Sequence, residues 1–208
     1  MKRVWRVDKK ELLPEILEKA FALVESGQPG PVLVNVPMDF FSAKIEVARR
    51  DRLQANAKVL VQPALDDATA RAIVAQLLDA KNPVIYVGGG VALARAWSEL
   101  REVVDHLQLP LAHSLMGKGA LPDDHPLVLG MTGFWGTSFT NATTRSADLI
   151  LALGTRFKEA DCSLWEPEYT FNIGVGGTKL IQIDIEPQEI GRNYPVVIGA
   201  VADLKAAL

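Results

Sequence analysis

One short stretch most constrains the fold of this chain: the apolar segment Pro83–Val87, which ends directly in the three glycines Gly88–Gly90. Short apolar runs that are rich in β-branched residues are typical of buried strands. A pattern with helical periodicity follows from Ala92 to about Leu107. A strand, a glycine turn and a helix together form the arrangement in which a backbone approaches a phosphate at a helix N-terminus.

From Pro63 onward the chain alternates between helical and strand patterns. Helices are predicted at about 67–78, 92–107, 133–147 and 201–208, and strands at 84–87, 111–114, 127–129, 148–153, 179–185 and 196–198. Strands that alternate with helices indicate a parallel sheet covered on both faces. We therefore predict an α/β fold with a doubly wound, six-stranded parallel sheet in the order 3-2-1-4-5-6.

The first forty residues contain only one helical pattern, Asp8–Ser26, and one strand pattern, Val32–Val36. Pro14 is expected in the first turn of the main helix, after a short preceding turn. A lone helix and strand cannot bury both of their faces, so residues 1–40 are predicted to be the remnant of another domain. Residues 41–62 are charged and aperiodic and are predicted to be a linker, which leaves residues 63–208 as the main domain.

Composition excludes several classes of function. The net charge of −3, from 22 basic and 25 acidic residues, leaves no basic face for nucleic acid. No apolar run approaches the roughly 18 residues of a membrane span. A single cysteine, Cys162, and three scattered histidines argue against a disulfide or a metal site and favour a cytoplasmic protein. No nucleophile elbow, P-loop or zinc-binding helix is present, so no catalytic residue is predicted.

The candidate site lies where the predicted strands end, because ligands of doubly wound sheets bind beyond the carboxyl ends of the strands. Glycines there let a backbone approach a ligand closely, and Arg156 can pair with a phosphate. Asp184 or Glu186 can accept hydrogen bonds from ribose hydroxyls. Together these residues describe a dinucleotide-shaped crevice.

Each of these features also has a purely structural interpretation. A glycine cluster can be only a tight turn, and the G-x-G-x-x-G fingerprint is incomplete because Leu93 stands at its third glycine. No acidic residue ends the second predicted strand, so an ordinary NAD site is disfavoured. Arg156 can be a surface or salt-bridged arginine, and Asp184 can cap the turn before Pro187. Structural roles are also predicted for His113, Cys162, Phe134 and Trp135, the last two in a core or an interface.

Two sets of segments carry a family resemblance. The first is residues 30–39, and the second is Pro83–Gly90, Leu115–Gly119, Leu129–Met131, Ser146–Phe157 and Ile183–Pro187. They resemble the thiamine diphosphate-dependent enzyme family, most closely the acetolactate synthase large subunit group. The first set is similar to the segment that closes the family's pyrimidine-binding domain, and the second set resembles its central domain. The resemblance implies that residues 1–40 are the C-terminal remnant of a pyrimidine-binding domain. It also implies that residues 63–208 are a central domain with a Rossmann-like, DHS-like NAD/FAD-binding topology.

The family resemblance implies a nucleotide site in the central domain that holds FAD or ADP. The matching positions in this sequence are Gly88, Gly89, Gly90, Leu115, Met116, Gly130, Met131, Gly154, Arg156, Asp184 and Ile185. The sequence departs from the family pattern at two motifs. Gly130–Gly133 stands where the family has Gly-Met-His-Gly, and Arg156–Ala160 stands where it has Arg-Phe-Asp-Asp-Arg.

The same resemblance implies a parent enzyme that is a carboligase or decarboxylase of 2-keto acids, a transferase or lyase. Thiamine diphosphate and Mg²⁺ would be bound by motifs outside this chain, in the pyrimidine- and pyrophosphate-binding domains of a homodimer or homotetramer. The chain alone is then expected to be catalytically inactive. Two other functions stay open: a stand-alone flavin- or nucleotide-binding module, such as an electron-transfer flavoprotein-like unit, and a structural spacer domain with no bound nucleotide.

Overall fold

The computed structural model describes residues 1–45 and 62–208, and the chain divides into two compact units, residues 1–61 and 62–208. Most of the predicted linker, residues 46–61, lies outside the described residues. Its first residues instead complete a 3-10 turn, Met38–Ser42.

The first unit is built on two parallel strands, β1 (Arg3–Arg6) and β2 (Val32–Asn35). Between them a 3-10 turn, Lys10–Leu12, leads into helix α1 (Leu13–Glu25). Pro14 lies in the first turn of α1, as predicted, where its missing N–H would have no partner in any case. The sequence pattern did not predict β1, because four residues with an arginine at each end carry no clear alternation.

Several large apolar side chains of this unit are exposed. Val4 and Leu33 on the two strands are 55% and 44% exposed, and Phe21 on α1 is 69% exposed. A two-stranded sheet with one helix is marginally stable in water, and it ordinarily buries such side chains against further elements. We therefore keep the interpretation that residues 1–40 are part of a larger domain.

The second unit contains a six-stranded, entirely parallel sheet. Its strands are β3 (Pro83–Val87), β4 (Leu111–His113), β5 (Val128–Met131), β6 (Leu149–Leu153), β7 (Lys179–Asp184) and β8 (Ile198–Val201). Their spatial order is β5-β4-β3-β6-β7-β8, which is the predicted order 3-2-1-4-5-6 counted within this unit. The predicted fold class is therefore confirmed. The order reverses direction after β3, so the topological switch point lies between β3 and β6.

The helices of this unit are α2 (Asp67–Asp79), α3 (Gly90–Ala94), α4 (Trp97–Leu107), α5 (Ser138–Ser146), α6 (Glu159–Cys162) and α7 (Leu204–Ala207), with 3-10 turns at Leu115–Gly117, Gly133–Trp135 and Pro187–Glu189. The predicted helix 92–107 is in fact two helices, because Arg95 adopts a left-handed conformation at φ 54° and ends the first of them. The predicted helix at 133–147 begins later. Gly133 has φ +77°, and the Thr137 hydroxyl caps α5 by accepting a hydrogen bond from the backbone N–H of Thr140.

Two strands, β5 and β8, differ from the prediction by two residues or more. β5 continues to Met131 rather than ending at residue 129, because Gly130 takes φ +105° at a register shift in its pairing with β4. The last strand, β8, spans Ile198–Val201 rather than residues 196–198, so the helix predicted from Val201 begins only at Leu204.

The sheet buries a core on each face, and successive residues of β3 point to opposite sides. Ile85 and Val87 face an aliphatic core that includes Leu100 and Val104 of α4. Val84 and Tyr86 face a second core that is largely aromatic. In that core the rings of Phe157, Phe171 and Tyr194 pack around Tyr86 and one another with centroids 4.9–6.3 Å apart.

We predict that loss of the hydroxyl group changes the unfolding free energy in opposite directions at two tyrosines of this aromatic core. Tyr86 Oη is hydrogen-bonded to Thr132 Oγ1 at 3.1 Å, whereas the buried Tyr194 Oη has beside it only the Cys162 thiol, a weak hydrogen-bonding group. We expect Tyr86→Phe to cost about 1 kcal/mol of unfolding free energy, and Tyr194→Phe to be neutral or stabilising by up to about 1 kcal/mol. Urea unfolding of both variants measures this difference. An equal loss in both would show that the Tyr194 hydroxyl is satisfied.

Candidate functional site

The turn after β3 lies in direct backbone contact with the turn after β6. Gly88 N donates to Leu153 O and Gly90 N donates to Gly154 O, both at 3.0 Å. A Cβ atom on Gly88 would lie 2.3 Å from Gly154 O, and one on Gly90 would lie 2.6 Å from Gly154 Cα. These three glycines are therefore needed for two turns to touch, whatever else they do.

The turn after β4 packs against the other side of the same segment. A Cβ on Gly117 would lie 2.3 Å from Val87 O, and a Cβ on Gly89 would lie 3.2 Å from Met116 Cβ. Leu115 and Met116 are nevertheless 54% and 65% exposed. The structure thus brings together the predicted site residues that follow β3, β4 and β6, with two apolar side chains facing outward.

The helix that was expected to direct its N-terminus at a phosphate is too short for that role. α3, which follows the glycines, has only five residues, and the longer α4 begins at Trp97. A helix this short carries little of the dipole and few of the free N–H groups that attract an anion. A phosphate at this edge would therefore have to be held mainly by side chains.

Gly130 and Met131 occupy the last two positions of β5 and are half-buried. The next residue, Thr132, stands where the resembled motif has histidine, and it is 1% exposed. Thr132 Oγ1 is 3.1 Å from Tyr86 Oη and 3.0 Å from the backbone oxygen of Asp161. Thr132 therefore faces the core and presents no side chain to a ligand.

Arg156, directly after the β6 turn, is held at its backbone and at one nitrogen of its side chain. Asn193 Nδ2 donates to Arg156 O at 2.9 Å, and Arg156 Nε lies 3.5 Å from Glu189 Oε1. Its two terminal nitrogens donate to no group in the part of the chain that the structure describes, and the side chain is 42% exposed. Arg156 is thus the salt-bridged arginine of one interpretation, and its terminal nitrogens still leave it able to bind a phosphate, as the other interpretation predicted.

Asp184 ends β7 and is only 5% exposed. Burial raises the pKa of its carboxyl group, and the charge of Glu189 adds to that rise. A hydrogen bond from the backbone N–H of Glu186 to Asp184 Oδ1, at 2.9 Å, and the charge of Arg156 act in the opposite direction. Asp184 therefore caps its turn, as one interpretation predicted, and the half-buried Ile185 follows it.

Sequence reasoning missed Gln182, which is 2% exposed within β7. Its Nε2 donates to Thr155 O at 3.1 Å and to Glu189 O at 3.0 Å, and its Oε1 accepts from Gly191 N at 3.0 Å. One buried amide therefore fixes the turn after β6 and the turn after β7 together. The signal was a single polar residue inside the apolar strand Leu180–Ile183.

The remaining conspicuous side chains do not form a catalytic group. His113 is buried with Nδ1 2.9 Å from Ser114 O, and burial raises the pKa of the Cys162 thiol. Phe134 and Trp135 form an edge-to-face pair but are 74% and 63% exposed, so they are not core residues. In residues 1–45 and 62–208 no three His, Cys, Asp or Glu side chains are grouped to hold a metal ion. No helix within those ranges is long and apolar enough to cross a membrane.

The site therefore has the chemistry of a binding site. It offers a guanidinium group at Arg156 whose terminal donors are free among the described residues, exposed apolar side chains at Leu115 and Met116, and a largely buried carboxyl acceptor at Asp184. A phosphate, a hydroxyl group and an apolar ring are the ligand groups that such side chains bind. None of these four side chains is a nucleophile paired with a general base.

Comparison with known proteins agrees with this architecture. Residues 70–208 match the family described as thiamine pyrophosphate enzyme, central domain. The chain is 38% identical to glyoxylate carboligase of Escherichia coli O157:H7 over 95% of its length, and 35% identical to acetolactate synthase isozyme 1 large subunit of E. coli K12 over the same share. It spans about a third of those relatives, 32% and 33%. A solved Mycobacterium smegmatis structure, described as a thiamin diphosphate-dependent enzyme, has the same fold with a TM-score of 0.73 at 22% identity, over 99% of this chain and 37% of that one.

The glycine contact predicts a large steric effect at one position. In Gly88→Ala the new Cβ would collide with the backbone of Gly154 and Thr155, which cannot rotate away. We expect a loss of about 3 kcal/mol in unfolding free energy. In the matched variant Gly119→Ala the Cβ meets nothing within 4 Å and only the left-handed φ of +80° opposes it, so about 1 kcal/mol is expected. Equal losses measured by urea unfolding would refute the contact.

Asp184 predicts a pH dependence of stability with a defined sign. The pKa of Asp184 is raised above 3.8 in the folded state. The contribution of Asp184 to the unfolding free energy is therefore greatest below pH 3.8 and is lost as pH rises through the folded pKa. Asp184→Asn should remove this loss, so the variant should be at least as stable as the parent chain at neutral pH. Urea unfolding between about pH 3 and pH 8 measures the difference.

Asp148 is the control with the opposite sign. Burial acts to raise its pKa, but hydrogen bonds from the backbone N–H groups of Lys81 and Asn82 outweigh burial and lower it. The contribution of Asp148 to the unfolding free energy is therefore present above pH 3.8 and is lost as pH falls through the folded pKa. Asp148→Asn should destabilise the chain at neutral pH, and a result of the same sign for both variants would contradict the assignment.

Proposed function

The chain belongs to the family of thiamine pyrophosphate enzymes and contains its central domain, and we propose that the complete protein is a carboligase or decarboxylase of small 2-keto acids. The proposal is supported by the names of its relatives, acetolactate synthase and glyoxylate carboligase, of which the second names a 2-keto acid as substrate. Thiamine diphosphate would supply the ylid that adds to the keto group and stabilises the carbanion.

Within that protein we assign this domain a nucleotide-binding role, with FAD or ADP as the ligand. The observation that carries this assignment is Arg156, which follows β6 at the switch point and whose terminal nitrogens have no partner among the described residues. Asp184 would accept a hydrogen bond from a sugar hydroxyl, and Leu115 and Met116 would contact a ring. The nucleotide would hold neighbouring segments together and would not enter the reaction.

Thiamine diphosphate and Mg²⁺ would be held elsewhere in the complete protein. The described residues contain no carboxylate cluster for a divalent cation, so they do not fit that part of the cofactor. Pyrimidine- and pyrophosphate-binding domains are the proposed partners of this domain, in a homodimer or homotetramer. The cytoplasmic location stays a prediction from the family resemblance and from the use of a single cysteine.

A second candidate is a structural spacer domain without a bound nucleotide. It is favoured by one observation: Gly88, Gly90 and Gly154 are already required for backbone packing, so they need no ligand to explain them. The Arg156–Glu189 ion pair likewise needs no ligand to explain it, because it joins the turn after β6 to the turn after β7. Direct binding measurements decide between the two candidates.

The first test uses the 208-residue chain. Visible absorption after purification reports bound flavin, and calorimetric titration with FAD and ADP reports affinity. A nucleotide-binding domain should bind at least one of them with a dissociation constant of about 1 mM or lower. A colourless chain that binds neither would support the spacer domain.

The second test uses the complete protein. Release of CO₂ from pyruvate and from glyoxylate is measured with and without thiamine diphosphate and Mg²⁺. We expect release to require both, because the ylid forms only on the bound cofactor. Turnover that is independent of thiamine diphosphate, or none with either keto acid, would count against the proposed activity.

A further inference from the structure

The buried carboxylate of Glu189 lies between two arginines at the edge of the candidate site. Glu189 ends the 3-10 turn that follows β7 and is 8% exposed. Arg192 Nη1 lies 3.1 and 3.2 Å from its two carboxylate oxygens, and Arg156 Nε lies 3.5 Å from one of them. Arg156 follows β6 and Arg192 follows β7, so Glu189 joins two separate segments of the chain.

The backbone around this carboxylate is fixed by buried hydrogen bonds. Gln182 Nε2 donates to Glu189 O at 3.0 Å and to Thr155 O at 3.1 Å. Asn193 Nδ2 donates to Arg156 O at 2.9 Å. Glu189 and the backbone of Arg156 are therefore held at a constant separation before any ligand arrives, which is the condition for a preorganised site.

The exposed groups of this cluster are suited to an anion. Two guanidinium groups share the Glu189 carboxylate, and the buried Asp184 carboxylate, whose charge acts on both Arg156 and Glu189, balances the second positive charge. Arg156 and Arg192 are 42% and 60% exposed, whereas the carboxylate between them is 9% exposed. Planar guanidinium groups with free N–H donors match the oxygens of a phosphate better than any other common ligand group.

We propose that Glu189 is a positioning residue that holds Arg156 and Arg192 together as a two-arginine binding site for the phosphate groups of the nucleotide. Glu189 does not touch the ligand, because it is buried beneath the arginines. Its role is to fix the direction of both guanidinium groups. This inference rests on the proposed nucleotide-binding function, and it adds Glu189 and Arg192 to the residues that serve it.

Replacing Glu189 distinguishes a positioning role from a purely electrostatic one, because the two roles predict opposite changes in the affinity for an anion. Removal of a negative charge from an anion site should tighten anion binding if only Coulomb forces act. If the carboxylate positions the arginines, its removal should weaken binding although the site becomes more positive. Glu189→Gln keeps the size and most of the hydrogen-bonding capacity of the side chain and changes mainly the charge.

The experiment titrates the 208-residue chain with ADP and with adenosine, which lacks phosphate. In the unmodified chain ADP should bind about tenfold more tightly than adenosine, because charge-assisted hydrogen bonds to phosphate are added. In Glu189→Gln that ratio should fall to about one, while the affinity for adenosine stays unchanged. Urea unfolding of both proteins checks that the variant is folded.

A second variant covers the case in which Glu189→Gln does not fold. Arg192→Gln changes a largely exposed side chain, and it should weaken ADP about fivefold without affecting adenosine. Arg101→Gln, an exposed arginine on α4, removes the same charge elsewhere and should leave both affinities unchanged.

The outcomes distinguish this inference from the proposed function. A chain that binds neither ADP nor FAD contradicts both. Binding of ADP that is unchanged or tightened in Glu189→Gln, with the ADP-to-adenosine ratio preserved, contradicts only the positioning role. Weakening of ADP to the same extent in Arg192→Gln and Arg101→Gln would contradict the two-arginine site and indicate a general charge effect.

Discussion

The rest of the second unit depends on the backbone contact between the turn after β3 and the turn after β6. Gly88 and Gly90 approach Gly154 so closely that no Cβ fits at either position. This contact closes the centre of the parallel sheet at the point where the strand order reverses. It also determines where the chain continues, since Arg156 leaves the same turn two residues after Gly154. The position of the candidate site is therefore a consequence of how tightly two glycine turns pack.

Because those glycines are used for packing, recognition of a ligand falls to side chains. The short α3 offers little dipole, and Thr132 is turned into the core. What faces outward is Arg156, and its position is fixed by a buried amide and a buried carboxylate behind it. Polar groups this far from water are tolerated only when they are hydrogen-bonded, and Gln182 meets that condition with two donated bonds and one accepted bond.

The sequence predicted the sheet and its order because alternating strand and helix patterns leave few topologies that obey the handedness of parallel crossovers. It did not predict the break at Arg95, since a left-handed residue other than glycine has no compositional signal. The residues of the candidate site were predicted from their places after the strands. Their partners were not, because the pairing of Glu189 with Arg156 depends on the path of two turns that periodicity does not describe.

A site of this kind is better suited to stabilise a domain than to carry out chemistry. It contains no nucleophile beside a base in the described residues, and its buried groups fix positions instead of exchanging protons. A nucleotide that binds only the folded domain adds about 2.7 kcal/mol of stability when its concentration is 100 times its dissociation constant. That amount exceeds what most single contacts contribute. An ion-paired arginine that is already in place lowers the ordering cost of such binding, so the buried carboxylate and the bound phosphate would act toward the same end, a central domain that stays rigid.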